Sequence, residues 1–126
     1  MYMRPEDRHA GALWDMRFYA REAVKLTDGY SFETWSNDDL AVYAIERVVQ
    51  NIGEAAMRLT RDFQAQHHEI DWRGMINLRH VLVHRYEEVN LQRVWNVATA
   101  RAPELIVLVD ALGIVEPSET PDDLTP

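Results

Sequence analysis

The sequence predicts an all-α protein, an antiparallel bundle of four to five helices. Apolar residues recur every three to four positions along most of the chain, and residues that commonly begin or end helices separate these stretches. Only residues 81–83 have strand character, and that run is too short to outweigh its helical flanks. Amphipathic helices joined by short connections bury their apolar faces against one another, which favours a bundle.

The length of 126 residues is typical of a single domain with its own hydrophobic core. We expect residues 1–115 to form the bundle. Residues 116–126 carry four carboxylates, no basic residue and few apolar side chains. We therefore expect an acidic C-terminal tail that is disordered.

The first two helices are predicted from their ends and from their apolar spacing. Pro5 suits the first turn of a helix because its φ angle is fixed, and this helix is predicted to end near Gly29. The second helix is predicted to open at residues 36–39, where Ser-Asn-Asp-Asp resembles a capping box. Its apolar stripe comprises Ala41, Ile45, Val48, Ile52, Ala55 and Leu59. Gly53 and Ala56 lie beside the stripe and favour close approach of another helix.

The second half of the chain is predicted to contain two further helical stretches. Residues 64–69 are polar and are predicted to form a connection, after which Asp71 caps a helix over about residues 72–82. Asn90 is predicted to cap the next stretch, which Pro103 should kink or restart. Gly113 is the predicted C-terminal stop.

The composition excludes several classes of site. Because the chain has no cysteine, it forms no disulfides, thiolate metal sites or cysteine nucleophiles. The net charge of −8 argues against non-specific coating of nucleic acid. Since neither a signal peptide nor an apolar stretch of membrane-spanning length is apparent, we expect a cytoplasmic protein without membrane contact.

Residues 73–101 depart from the acidic average. This segment holds five arginines and two glutamates, which leaves a local charge of +3. Such a surface suits an RNA phosphate or a small anionic ligand. Charge alone favours the simpler interpretation, in which the arginines lie on solvated helix faces.

Arg79 and His84 are the strongest candidates for catalysis. Cleavage of an RNA phosphodiester needs a group that shuttles protons near neutral pH and a fixed cation that stabilises negative charge, and histidine and arginine supply these roles. On a regular helix a separation of five residues places the side chains about 140° apart. Either the helix loosens near Val83, or two subunits assemble the site. From spacing alone, an ion-paired arginine and a structural histidine remain the favoured interpretation.

Three other residues are candidates for the same site. His80 and His84 have the i, i+4 spacing of two metal ligands on one helix, but no glutamate follows His80 and no third ligand is apparent, so we expect no metal. Glu54 either orients Arg79 or faces solvent. Tyr86 would point the same way as His84 if the backbone there were extended, although packing is the simpler explanation.

Together these segments resemble the HepT-like branch of the HEPN superfamily, from the second predicted helix to the end of the bundle. The motif that carries the resemblance is arginine, four residues, histidine, one residue and tyrosine, matched by Arg79, His84 and Tyr86. Residues 44–47, 51–56, 68–73, 94–95, 103–105 and 111–112 also resemble the family. The position after the motif arginine is often asparagine in this branch and is His80 here.

The resemblance implies a metal-independent endoribonuclease toxin without a cofactor, active as a homodimer whose two motif copies face one cleft. It implies that RNA is cut to leave a cyclic phosphate, with Arg79 stabilising the phosphate, His84 shuttling protons, and His80 and Glu54 in supporting roles. It further implies a minimal nucleotidyltransferase as antitoxin partner, in a type VII-like pair, which transfers AMP onto Tyr86.

Two other functions remain open on the sequence. A HEPN-type module that has lost catalysis would only bind a nucleotide or a partner protein, and the intact Arg79 and His84 count against it. A metal-bound hydrolase built on His80 and His84 would be inactivated by chelators.

Overall fold

The computed structural model describes residues 5–114, with side chains described for residues 9–114. All regular secondary structure in the described residues is helical, and they contain no strand. This confirms the predicted all-α bundle. Its helices are α1 (Pro5–Thr27), α2 (Phe32–Ser36), α3 (Asp39–Met57), α4 (Arg61–Gln66), α5 (Trp72–His84), α6 (Leu91–Asn96) and α7 (Ala102–Ala111). The predicted acidic tail, residues 116–126, lies outside the described residues.

The core forms where α1 packs against both α3 and α7, and where α3 packs against α5. Of the apolar stripe predicted for the second helix, Ile45, Ile52, Ala55 and Leu59 are buried, and Ala41 and Val48 are partly buried against the core. The largest fully buried side chains are Leu13, Met16, Trp35, Ile45, Val49, Ile52, Met75, Val94, Leu105 and Val109. Within the described residues, no helix combines the length and apolar character needed to cross a membrane.

Side-chain caps fix where the helices begin. Asp71 accepts a hydrogen bond from the N–H of Gly74, and Asn90 accepts from the N–H groups of α6, which confirms both predicted caps. Asp38 alone caps α3, so the capping box predicted at residues 36–39 is wrong. The reciprocal box lies earlier, where Ser31 and Thr34 open α2.

The structure adds two short helices that the sequence did not predict. The single-turn helix α2 lies between the first two predicted helices, and α4 overlaps the start of the predicted connection at residues 64–69. Five or six residues are too few to show an apolar period. Thr60 caps α4 by accepting from the N–H of Phe63, whose ring packs against His67 and Trp72. The chain between α3 and α5 is therefore ordered by aromatic packing.

An α-helix restarts at Ala102 with Pro103 in its first turn, which is one of the two alternatives predicted for this proline, and a π-helical turn precedes it. The π turn spans Val97–Arg101 and joins α6 to α7 without interruption. In this turn the N–H of Ala102 bonds to the carbonyl of Val97, five residues earlier. The shifted hydrogen-bond register places Pro103 in the first turn of α7, where a missing N–H is tolerated.

α3 and α5 approach one another closely at Gly53. A Cβ atom at this position would lie 2.6 Å from the Cβ of Arg79 and 2.9 Å from the carbonyl oxygen of Met75. The second of these atoms belongs to the backbone and has little freedom to move. The glycine therefore lets α5 lie directly on α3, as the small residues of the sequence predicted.

Replacing Gly53→Ala should lower the free energy of unfolding by about 1–3 kcal/mol, because the added methyl group forces the two helices apart. Urea denaturation measures this change. Gly11→Ala is the matched control, since its Cβ would meet nothing within 4 Å, and it should stabilise the helix by about 0.5–1 kcal/mol. Equal stabilities for the two variants would show that the Gly53 contact does not constrain the fold.

Candidate active site

Arg79 lies on α5 with its stem over Gly53, and its guanidinium is held by two neighbours. Its Nη2 atom is 3.6 Å from the Oε1 atom of Glu54 on α3, and its Nη1 atom is 3.4 Å from the Nδ1 atom of His80. Gln50 donates a 3.3 Å hydrogen bond to the same Glu54 oxygen. The sequence left open whether Glu54 orients Arg79 or faces solvent, and in the structure it points towards Arg79.

The hydrogen-bonding capacity of Arg79 is not fully used by these contacts. Its Nε atom is buried and has no acceptor among the described residues. The approach to Glu54 is an ion pair beyond ordinary hydrogen-bond length, so it holds the guanidinium loosely. The buried Nε atom is not open to a ligand, but a guanidinium on a rigid helix whose terminal nitrogens are held this loosely suits the binding of a phosphate group through Nη1 and Nη2.

His80 lies between the two candidate catalytic residues. Its ring stacks with that of His84, with centroids 6.1 Å apart and planes inclined by 22°. Because a guanidinium only donates, the contact with Arg79 makes the His80 Nδ1 atom an acceptor. Successive contacts thus connect Glu54, Arg79, His80 and His84 in a row that passes from α3 onto α5 and around it.

His84 is exposed and is the last residue of α5. The helix stays regular through it, so the suggested loosening near Val83 is wrong. The chain leaves helical geometry only at Arg85, whose φ is −141°. Within one chain, Arg79 and His84 therefore keep the separation of about 140° around the helix axis.

Tyr86 does not follow an extended backbone beside His84. It lies in a single 3₁₀ turn, Tyr86–Glu88, and its hydroxyl donates a 2.7 Å hydrogen bond to the Oε1 atom of Glu46 on α3. Glu46 is only 6% exposed, whereas Tyr86 is 49% exposed. The phenol oxygen is thus fixed against α3 while much of the side chain remains accessible.

The two side chains alter one another's proton affinity. The hydrogen bond to Glu46, and to a lesser extent burial and the carboxylate charge, raises the pKa of Tyr86 to about 12. Burial raises the pKa of Glu46, and the hydrogen bond from Tyr86 partly opposes that rise. At neutral pH the pair therefore holds its proton on the phenol.

Glu46 is the functional candidate that the sequence analysis missed. Its sequence signal was a carboxylate beside Ile45, within the apolar stripe of the second predicted helix. A buried acid needs a partner, and Tyr86, 40 residues later, supplies it. Because Glu54 meets Arg79 and the earlier Glu46 meets the later Tyr86, α3 and α5 run antiparallel.

The excess positive charge of residues 73–101 is smaller in the folded protein than in the sequence. Arg85 lies 3.7 Å from Glu88, and Arg101 lies 3.2 Å from Glu104. Glu54 and Glu104 lie outside residues 73–101 in the sequence, but in the structure they pair with Arg79 and Arg101 and offset part of the local charge of +3. Around His80 and His84, the described residues form no group of three or more potential metal ligands.

Comparisons with known proteins give a family match and several relatives. The model of a family described as "Ribonuclease HepT-like" matches residues 16–112. A Thermococcus cleftensis protein named "Probable ribonuclease HepT" is 32% identical over 88 residues, covering 67% of this chain and 80% of the relative. A Methanocaldococcus jannaschii protein named "Putative RNase MJ1380" is 25% identical over 93 residues, covering 74% and 85%. No solved structure matches the chain.

The matched family covers α3, α5 and the whole of the candidate site. The resemblance inferred from the motif is thereby confirmed. This chain belongs to the HepT-like ribonuclease family.

Proposed function

We propose that this protein is a metal-independent endoribonuclease toxin that cuts RNA with Arg79 and His84 at a homodimer cleft. The observation that carries the proposal is the row of Glu54, Arg79, His80 and His84. It combines a positioned guanidinium with an exposed imidazole on one rigid helix.

The chemistry requires no nucleophile from the protein. His84 accepts the proton of a ribose 2′-hydroxyl, and the resulting oxygen attacks the adjacent phosphorus. The bond from phosphorus to the 5′ oxygen breaks, and His84 returns the proton to that oxygen, which leaves a 2′,3′-cyclic phosphate and a 5′-hydroxyl. Arg79 stabilises the additional negative charge on the phosphoryl oxygens, and His80 supports its orientation.

The angular separation of Arg79 and His84 supports a site shared by two subunits. One regular helix does not direct both side chains to the same phosphate. Two facing copies form two equivalent sites, each with Arg79 from one copy and His84 from the other. Exposed apolar side chains at the Tyr86 end of α3 favour such an interface: Tyr43, whose charge is felt at Tyr86, is 60% exposed, and Leu40, three residues earlier on α3, is 82% exposed.

We further propose that Tyr86 is the modification target of a minimal nucleotidyltransferase antitoxin encoded beside this chain. AMP on Tyr86 would add a bulky anion two residues from His84. The added phosphate would compete with RNA for Arg79 and block the cleft.

The rival proposal is a HEPN-type module without catalysis that binds a nucleotide or a partner protein. Purified protein that binds a nucleotide tightly and cleaves no RNA at micromolar concentration would favour this rival.

Replacing His84→Ala should lower the rate of RNA cleavage by at least about 100-fold, because the proton acceptor for the 2′-hydroxyl is lost. Cleavage of a labelled RNA on a gel measures the rate. His68→Ala is the control, since His68 is exposed in the connection before α5 and should leave the rate unchanged. Cleavage retained in the His84 variant would refute the assignment.

Cleavage should also be insensitive to EDTA and should leave cyclic phosphate ends, which mass spectrometry of the products detects. Loss of activity on chelation would instead support the metal-bound hydrolase on His80 and His84.

Co-expression with the neighbouring nucleotidyltransferase should raise the intact mass of the protein by whole AMP units and abolish RNA cleavage. Tyr86→Phe should prevent the mass increase. Tyr43→Phe, which removes a more exposed phenol from the same region, should not. A mass increase that persists in the Tyr86 variant would contradict the proposed target.

A further inference from the structure

The structure contains two phenol–carboxylate pairs of nearly equal length that differ in burial. Tyr86 donates to Glu46 at 2.7 Å, and Tyr30 donates to Asp38 at 2.8 Å. Glu46 is one of the buried residues of α3, whereas the pair of Tyr30 and Asp38 is exposed. The comparison separates the effect of a hydrogen bond from the effect of desolvation.

The two carboxylates differ in their readiness to accept a proton. The hydrogen bonds from Tyr30 and from the N–H of Ala41 lower the pKa of Asp38 below its ordinary value. Burial has the opposite effect and raises the pKa of Glu46. Of the two, Glu46 is therefore the stronger base, and it lies against the more exposed phenol.

We propose that Glu46 is the general base that activates Tyr86 for nucleotidyl transfer, an inference that rests on the proposed modification of Tyr86. The Tyr86 oxygen forms a bond to the α-phosphorus of ATP, the bond to the bridging oxygen breaks, and pyrophosphate leaves. The phenolic proton passes along the existing hydrogen bond to the Glu46 carboxylate. No further reactant is needed.

An acceptor for this proton is necessary because the phenol is un-ionised at neutral pH. A pKa of about 12 leaves roughly one Tyr86 in 10⁵ as phenolate at pH 7. The attack must then be coupled to loss of the proton, and Glu46 is already in contact with it. The phenol becomes strongly acidic as its bond to phosphorus forms, so the transfer is downhill.

The environment of Glu46 also favours keeping the proton after transfer. The modified tyrosine no longer donates a hydrogen bond, so the effect that lowers the pKa of Glu46 disappears and burial alone remains. A neutral Glu46 avoids repulsion between a buried carboxylate and the new phosphodiester. The same side chain thus accepts the proton and accommodates the product.

Glu46→Gln distinguishes a base from a residue that only positions Tyr86. The amide oxygen of glutamine still accepts the Tyr86 hydrogen bond, but it does not take up the proton. A purely positional role would survive the substitution, whereas a general base would not.

The test measures Tyr86 reactivity with phenylmethanesulfonyl fluoride, a neutral probe that needs neither a nucleotide site nor a partner protein. The Tyr86 oxygen forms a bond to sulfur, fluoride leaves, and the proton passes to Glu46. Peptide mapping by mass spectrometry gives a rate for each tyrosine. Tyr30 is the matched control for a solvated carboxylate, and Tyr43 is the control for an exposed phenol.

At neutral pH, Tyr86 in the unaltered protein should react at least about tenfold faster than Tyr30 and Tyr43. Glu46→Gln should remove that advantage and leave the control rates unchanged, with thermal unfolding showing that the variant is folded. Undiminished labelling of Tyr86 in the folded variant would overturn the proposal.

The pH dependence of the unaltered protein tests the same point without a variant. The pKa of Tyr30 is raised above its ordinary value by its hydrogen bond to Asp38, so its labelling should rise about tenfold per pH unit between about pH 7 and 9 with its phenolate fraction. The labelling of Tyr86 should stay nearly constant over the same range. Parallel profiles would overturn the role of Glu46. A reactive Tyr86 that gains no AMP on co-expression would instead overturn the proposed antitoxin reaction.

Discussion

The contact between Gly53 and the stem of Arg79 is the constraint on which the rest of the site depends. With no side chain at position 53, α5 lies directly on α3 and brings the motif within reach of the acids on that helix. Glu46 and Glu54 are eight residues apart, about 12 Å along α3. One acid meets each end of the motif, at Tyr86 and at Arg79. The helix pair therefore fixes the spacing of the site before any ligand binds.

Periodicity and capping chemistry predicted the long helices well, because these signals are local. The stripe of α3, the caps at Asp71 and Asn90 and the stop at Gly113 are readable from the sequence, and Gly113 has the positive φ of 68° that such a stop uses. The short helices α2 and α4 and the π turn before Pro103 were not predicted. Their caps at Ser31 and Thr60 are local signals, but the helices also depend on aromatic packing and the π turn on hydrogen-bond register, which apolar periodicity does not reveal.

The candidate site was predictable only in part, for the same reason. The motif names Arg79, His84 and Tyr86, and the helical period correctly placed the first two on different sides of α5. The partners of these residues come from α3, at a distance of 25 to 40 residues in the chain, and spacing does not reveal such contacts. Glu46 in particular looks like an exception within an apolar stripe until Tyr86 is seen to bond to it.

The two acids of α3 differ in burial, and this difference assigns them different parts in the site. Glu54 is half-exposed and approaches Arg79 at 3.6 Å, so a phosphate can displace it and the freed carboxylate is solvated at little cost. Glu46 is buried and has no such alternative, because withdrawing its hydrogen-bond donor leaves a desolvated charge. An exchangeable counterion would suit the proposed binding of a substrate phosphate by Arg79. A carboxylate that keeps or gains a proton would suit the proposed modification of Tyr86.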